Sequence, residues 1–209
     1  MKCHHCQLDA VYRCSVCGHL LCAEHTRFRT ICPKCTKKPR LHFAIKRITL
    51  ENKEEIRKFV EKFWGEEEQL TFDHKYYVPE LPGYVATLDK TIIGFISTAQ
   101  TQEAVLIVAL GVLPEYQSSG VGRTLVKKIE SEAGQTKKRS LLVSTSNDDL
   151  PALAFYQSIG FQIFEVRPNV IAEKHGKIIK GVGQLPVRDE LRLQKPLRSQ
   201  EKLSISRQD

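Results

Sequence analysis

From Val105 to Val112 the chain is an unbroken apolar run, the pattern of a strand buried on both faces. Pro114 has no N–H to give to a ladder, so pairing is predicted to stop there. At Val121 the period changes. Val121, Leu125, Ile129 and Ala133 recur every four positions, with Lys127, Lys128, Glu130 and Glu132 off that stripe, which predicts an amphipathic helix. Gly120 and Gly122 stand between the two patterns. A strand, a glycine turn and a helix in succession present free backbone N–H groups at a positive helix N-terminus, a site suited to phosphate. An ordinary turn whose glycines only relieve crowding fits the same two residues, and their spacing alone does not separate the readings.

The remaining pattern supplies the other elements. Residues 41–50 alternate around Phe43, Ala44, Ile45, Lys46, Arg47 and Ile48 and predict a first strand. Asn52 with Glu55 has the spacing of a capping box, Ile56, Phe59, Val60 and Phe63 form a helical stripe, and Gly65 can end it. Glu66, Glu67 and Glu68 follow, either a solvated acidic turn or a cluster that attracts a cationic amine. Pro79 to Pro82 reads as a loop, and Tyr84–Leu88 and Ile92–Ala99 as a hairpin about Asp89 and Lys90. Gly134 to Arg139 reads as a loop and Leu141–Thr145 as a strand. A helix capped by Asp149, with Pro151 in its first turn, should stop at Gly160. Gln162–Val166 and Glu190–Gln194 read as final strands, with a glycine-containing loop or loose hairpin between them. Residues 199–209 are polar and predicted to be disordered.

The full string is more specific than its glycines. Gln117-x-x-Gly120-x-Gly122, after a strand ending in Val112-x-Pro114, resembles the acyl-CoA-binding motif of the GNAT superfamily of N-acetyltransferases. Asn147, then Ala154-Phe155-Tyr156, then Gly160-Phe161 resembles the second signature of that family, and Val187 to Leu193 its final strand. No Gly-Lys-Ser/Thr follows, so the turn is not a Walker loop, and the third glycine of a dinucleotide fingerprint is missing. The resemblance covers roughly residues 41 to 195. It implies an α/β (α+β) fold, a mixed, twisted sheet split like a V and flanked by helices. The split would lie between the strand ending at Val112 and the strand Leu141–Thr145.

The resemblance also assigns roles. Backbone groups of Val112, Leu113 and Pro114 would hold pantetheine, with the Val112 N–H polarising the thioester carbonyl. Backbone N–H groups of Gln117, Ser118, Ser119, Gly120, Val121, Gly122 and Arg123 would cradle the pyrophosphate, and Asn147 would fix the other side of the pantetheine. Tyr156 would contact the cofactor and protonate the departing thiolate, unless it is a core tyrosine. Glu103, at the start of the buried strand, is the candidate general base, against the plainer reading of a solvated carboxylate.

Cysteine placement sets the first part of the chain aside. All seven cysteines lie in the first 35 residues and four of seven histidines in the first 25. The order Cys3-x2-Cys6-x7-Cys14-x2-Cys17-x4-Cys22-x2-His25-x6-Cys32-x2-Cys35 gives four pairs at zinc-knuckle spacing, enough for two structural Zn²⁺ ions. Without an export signal, disulfides are disfavoured. Loops this short suit an interleaved cross-brace: Cys3, Cys6, Cys22 and His25 on one ion, Cys14, Cys17, Cys32 and Cys35 on the other. The spacing resembles a B-box zinc finger, although B-boxes usually end in histidines. His4, His5 and His19 are spare. The organisation expected is a zinc module over 1–36, a basic linker over 37–40, an acetyltransferase domain over 41–198 and a tail over 199–209.

Composition narrows the function. At 209 residues, 41% hydrophobic and 27% charged, the chain is ordinary for a globular protein, and no apolar run approaches the ~20 residues of a membrane span. With no signal peptide at the N-terminus, a cytoplasmic setting is expected. The net charge of +8 suits a polyanionic acyl-CoA, while no aromatic–basic interleaving favours nucleic acid. The function expected is acetyl-CoA-dependent N-acetylation of a primary amine on a small molecule or protein, with the zinc module open to a protein partner. The competing reading is a zinc-finger adaptor whose acyl-CoA fold only senses its ligand.

Overall fold

The computed structural model describes residues 2–10, 12–13, 19–25, 41–181 and 184–197. Cys14, Cys17, Cys32 and Cys35, the basic linker and the 199–209 tail lie outside them. Near the N-terminus, β1 (Tyr12–Arg13) pairs with β2 (Leu20–Leu21). The main body is a seven-stranded sheet. Its strands are β3 (Ala44–Arg47), β6 (Gly83–Leu88), β7 (Thr91–Gln100), β8 (Ala104–Val112), β9 (Ser140–Ser146), β10 (Gln162–Arg167) and β13 (Glu190–Pro196), in the order β10-β13-β9-β8-β7-β6-β3. All neighbours are antiparallel except β8 and β9. That parallel pair needs a crossover, which the helix α2 (Val121–Gln135) supplies.

Helices cover both faces, so the apolar run of β8 is buried on both sides. On one face, the back, Val121, Leu125, Val126 and Ile129 of α2 pack with Ile93, Ile96, Val105, Ile107, Leu141 and Val143. On the other, the front, Ile56, Phe59 and Val60 of α1 (Lys53–Trp64) pack with Val85, Ile92, Phe95 and Ala109. The apolar stripes predicted for both helices are the faces they bury. The α1 cap is different from the pattern. Asn52 Oδ1 turns back to accept from Thr49 N at 3.2 Å, and Glu55 accepts from Ile92 N at 3.3 Å, tying the helix to the sheet.

Helix α3 (Leu150–Ser158) starts as read, with Asp149 Oδ1 accepting from Ala152 N at 3.0 Å. Asp89 and Lys90 both take left-handed backbone in the hairpin turn. Two features differ from the sequence reading. The chain after Gly65 forms a hairpin, β4 (Glu68–Thr71) with β5 (His74–Tyr77), turning at Phe72 and Asp73, both at positive φ. Between β10 and β13 lie a short helix α4 (Val170–His175) and a two-residue ladder of β11 (Ile179–Lys180) with β12 (Pro186–Val187). No helix among the described residues is long and apolar enough to cross a membrane.

Candidate acyl-CoA and acceptor cleft

The sheet opens at one place. β8 and β9 pair from Ala104↔Ser140 to Ile107↔Val143, and the ladder ends there although both strands continue. On its other edge β8 stays paired with β7 as far as Val112↔Gly94, with one irregularity opposite Ser97 and Thr98 that leaves Val108 as the extra residue. A bulge bends its strand and raises the local twist, so the bulge at Val108 and the parting from β9 at Ile107 belong together. The result is the V-split, between the two strands named from the sequence.

Beyond the apex, β8 offers backbone to the gap. Leu113 N donates to Ile93 O at 2.9 Å, so Leu113 faces β7. Alternation along a strand then turns the N–H and C=O of Val112 the other way, into the split. The Val112 carbonyl already has a donor, Gln117 Nε2 at 3.2 Å. Gln117 therefore caps the strand end, and the Val112 N–H is left toward the cleft. Pro114–Tyr116 form one 3₁₀ turn. Ser118 (φ 65°) and Gly120 (φ 95°) then bring the chain round into α2. No side chain caps that helix, no acidic residue lies in its first turn, and Arg123 does. Its first N–H groups thus keep both their donor capacity and the positive end of the helix dipole. Gly122 lies under α3: a Cβ there would stand 3.4 Å from the Phe155 ring.

The structure gathers Val112, Leu113, Pro114, Gln117, Ser118, Ser119, Gly120, Val121, Gly122 and Arg123 at one end of β8. Asn147 follows β9 at the corresponding end of the neighbouring parallel strand. Its side chain is engaged: Oδ1 accepts from Arg188 N and Asp189 N, both at 2.9 Å, and Nδ2 donates to Pro186 O at 2.8 Å. It braces the entry to β13 on this rim. Tyr156 on α3 is buried at 6% exposure between Phe155 and Phe161, ring centroids 5.2 and 5.4 Å away. Burial, and then the Asp149 carboxylate, pushes its phenol well above the ordinary range.

Glu103 is placed elsewhere. It precedes β8 at the far end from Val112, nine residues or about 30 Å of strand away. Its exposed carboxylate pairs with Arg139 at 3.1 Å. A group there stands at the opposite end of β8 from the opening of the split, which speaks against the expectation of a general base. The acidic run is also not a free cluster: Glu66 pairs with Lys174, and Glu67 with Arg57 at 3.1 Å and with the Tyr77 hydroxyl.

The front face holds residues that periodicity did not single out. Thr71 and Ser144 share a hydroxyl hydrogen bond of 2.6 Å, Phe72 N donates to Glu190 Oε1 at 3.0 Å, and the Arg192 guanidinium lies 4.8 Å from the centre of the Phe72 ring. Buried Arg192 meets Asp73, Glu165 and Glu190 at 2.9, 3.0 and 2.9 Å. These contacts staple the β4–β5 hairpin across the sheet. The alternation of Glu68–Thr71 and His74–Tyr77 about Phe72-Asp73 is its sequence signal, weak because no glycine marks the turn.

Near the N-terminus, Cys3, Cys6, Cys22 and His25 bring one ligand atom each within 4.8 Å of one another. Burial raises the Cys3 thiol, but backbone N–H groups of His5, Cys22 and Cys6 outweigh it and lower it to about 6. Three thiols and an imidazole at this separation fit a tetrahedral zinc ion.

Known proteins carry the same body. The chain is 30% identical over 150 residues to the uncharacterised protein YxbD of Bacillus subtilis (strain 168), spanning 69% of this chain and 93% of that one. Among solved structures it resembles an IAA acetyltransferase from Bacillus cereus ATCC 14579, at 25% identity and a TM-score of 0.63, over 75% of this chain and all of the other. It also shares the fold of a GNAT acetyltransferase from Elizabethkingia anophelis with acetyl-CoA bound, at 20% identity and a TM-score of 0.56, over 77% of this chain and all of that one. The acetyltransferase (GNAT) family profile matches residues 49–161, which contain the split, the glycine turn and α3 and begin after the cysteine-rich segment. On the sequence match and the shared architecture together, the chain belongs to the GNAT acetyltransferase family.

Proposed function

We propose that the chain transfers the acetyl group of acetyl-CoA to a primary amine, forming an N-acetyl product. The observation that carries this reading is the parting of β8 from β9 beyond Ile107 and Val143, with the uncapped α2 N-terminus directly after β8. Pantetheine amides would replace the missing ladder partner of β8, and the pyrophosphate would take the N–H groups of Ser118, Gly120, Val121, Gly122 and Arg123, while those of Gln117 and Ser119 donate within the turn. The neutral amine attacks the thioester carbon, and the Val112 N–H stabilises the oxyanion. Collapse breaks the C–S bond, and the thiolate takes a proton from Tyr156, whose phenol is protonated beforehand and regains its proton from water. The ammonium proton leaves through water, since Glu103 lies at the wrong end of the strand.

The N-terminal module over residues 1–36 is proposed to hold two structural zinc ions. Cys3, Cys6, Cys22 and His25 would bind the first, supported by their mutual approach. Cys14, Cys17, Cys32 and Cys35 would bind the second. CoA release from acetyl-CoA in the presence of mixed amines tests the assignment. Release that depends on an amine supports it. Acetyl-CoA binding with no release under any amine favours the sensing adaptor instead.

A further inference from the structure

The cleft has a roof that the chemistry above does not use. Cross-strand partners share a face of a sheet, and Ser144 is the partner of Arg192 while Ser97 is the partner of Ala109. Ser144, Arg192, Ala109 and Ser97 all lie on the front face, and Ser144 is the first residue of β9 beyond the end of the β8 ladder. The hairpin crosses this face. Its tip is held over β13 by Phe72 and Asp73, and Thr71 sits on Ser144 at 2.6 Å. Gln69 lies two residues before Thr71 on β4, so its side chain leaves the same face of the hairpin, toward the sheet. Gln69 stands about 6.6 Å back along β4 from Thr71, on a strand that also packs against β8.

Among the described residues, two uncharged polar atoms of this face are buried without a hydrogen-bond partner: Gln69 Nε2 on the hairpin and Ser97 Oγ on β7. A buried donor with nothing to donate to is costly, and most such groups in native proteins are satisfied. A donor in this position is satisfied by a substrate that brings an acceptor oxygen. The charges around it select which oxygen. Arg192 and Arg167 face three carboxylates, Asp73, Glu165 and Glu190, and are spent on them. This group, with one carboxylate in excess, favours an ammonium and disfavours a second negative charge.

Resting on the acetyl-transfer reading, we infer that Gln69 orients the acceptor by donating from Nε2 to an uncharged carbonyl oxygen beside the reacting amine. The acceptor class is therefore an α-amino amide, free or as a peptide N-terminus. The test compares CoA release, referred to the concentration of unprotonated amine, with alaninamide, with a tetrapeptide beginning in alanine, and with 3-methylbutan-2-amine, which has the shape of alaninamide without its carbonyl. The wild type should prefer alaninamide or the peptide over the alkylamine by about tenfold or more in kcat/KM. Whichever of the two amides is faster tells a free amide from a peptide end. Gln69→Leu should erase the preference through loss on the amide side alone. Its acetyl-CoA affinity should be unchanged and its Tm equal or higher, because the unpaired donor is gone. Gln69→Glu, which keeps the shape without the donor, should lose the amide preference too. Equal rates for amide and alkylamine in the wild type would overturn the inference while leaving acetyl transfer intact, as would a preference that survives Gln69→Leu. A Tm drop with equal losses on both amines would make Gln69 a structural strut and overturn it as well. No release with any amine, from protein that binds acetyl-CoA in calorimetry, would sink the acetyl-transfer reading itself.

Discussion

Gly120 and Gly122 look alike in the sequence and differ in what a substitution tests. Gly120 takes φ 95°, so any side chain there strains the turn whether or not phosphate binds. Gly122 has ordinary helical backbone, and a Cβ would meet the Phe155 ring at 3.4 Å, a normal contact. Gly122→Glu therefore places a carboxylate at the proposed phosphate site with little cost to the fold. Calorimetric titration should show at least a ~30-fold loss of acetyl-CoA affinity, about 2 kcal/mol, with Tm nearly unchanged. Tyr156 carries two expectations. As the proton donor, its change to Phe lowers kcat by at least ~10-fold. As a buried phenol with a raised pKa, it binds its proton in the folded state when the unfolded chain has lost it. Its contribution is therefore full below about pH 10 and falls as pH rises past that value. Tyr84, pushed up to about 12 by burial and by the Glu132 carboxylate, acts with the same sign. Denaturant midpoints measured from neutral to alkaline pH should fall steeply in the wild type and less steeply in Tyr156→Phe. Normal kcat with a flattened pH dependence would leave Tyr156 a packing residue.

At the scale of elements, Arg192 carries the ionic part of the contacts that hold the hairpin β4–β5. Arg192 is 5% exposed and pairs with Asp73, Glu165 and Glu190. Removing it leaves the buried Glu190 carboxylate uncompensated, which costs about 3–5 kcal/mol. Arg192→Met should lower stability by that order and speed hydrogen exchange at the amides of Glu68–Tyr77 more than at β7. Uniform exchange across both would show that the hairpin is held by other contacts. The predicted elements around it were readable because their patterns are long. The α2 stripe repeats over four turns, and β8 is apolar throughout. The hairpin strands have four residues each, and Phe72-Asp73 adopts positive φ without a glycine to announce it. Asn52 kept the spacing of a capping residue and still turned away, because Thr49 and the edge of β7 offered its neighbourhood other hydrogen bonds.

At the scale of the whole molecule, two parts follow different rules. Residues 41–197 bury two apolar layers against a seven-stranded sheet and have a core of their own. A module of about forty residues has too little apolar volume to fold unaided, so metal binding would be its folding energy. Protein purified without chelator should contain two zinc ions per chain by elemental analysis, and chelation should unfold the module while acetyl-CoA binding persists. One ion or none refutes the eight-ligand reading.

By itself the sequence determined the features that depend on neighbours along the chain. The buried strand, the glycine turn and the amphipathic helix after it are all matters of short spacing. Local periodicity sets which face an element buries, and a turn places its own N–H groups. Only the tertiary structure decided what depends on distant residues. It paired Glu103 with Arg139 and committed Asn147 to Pro186, Arg188 and Asp189. It also brought Thr71 onto Ser144 of β9, 73 residues away in sequence, on a hairpin tied down by a buried charge that sits near the end of the chain. No local pattern encodes such an approach. It is fixed by the sheet order, which decides which strands part and which segment crosses above the opening.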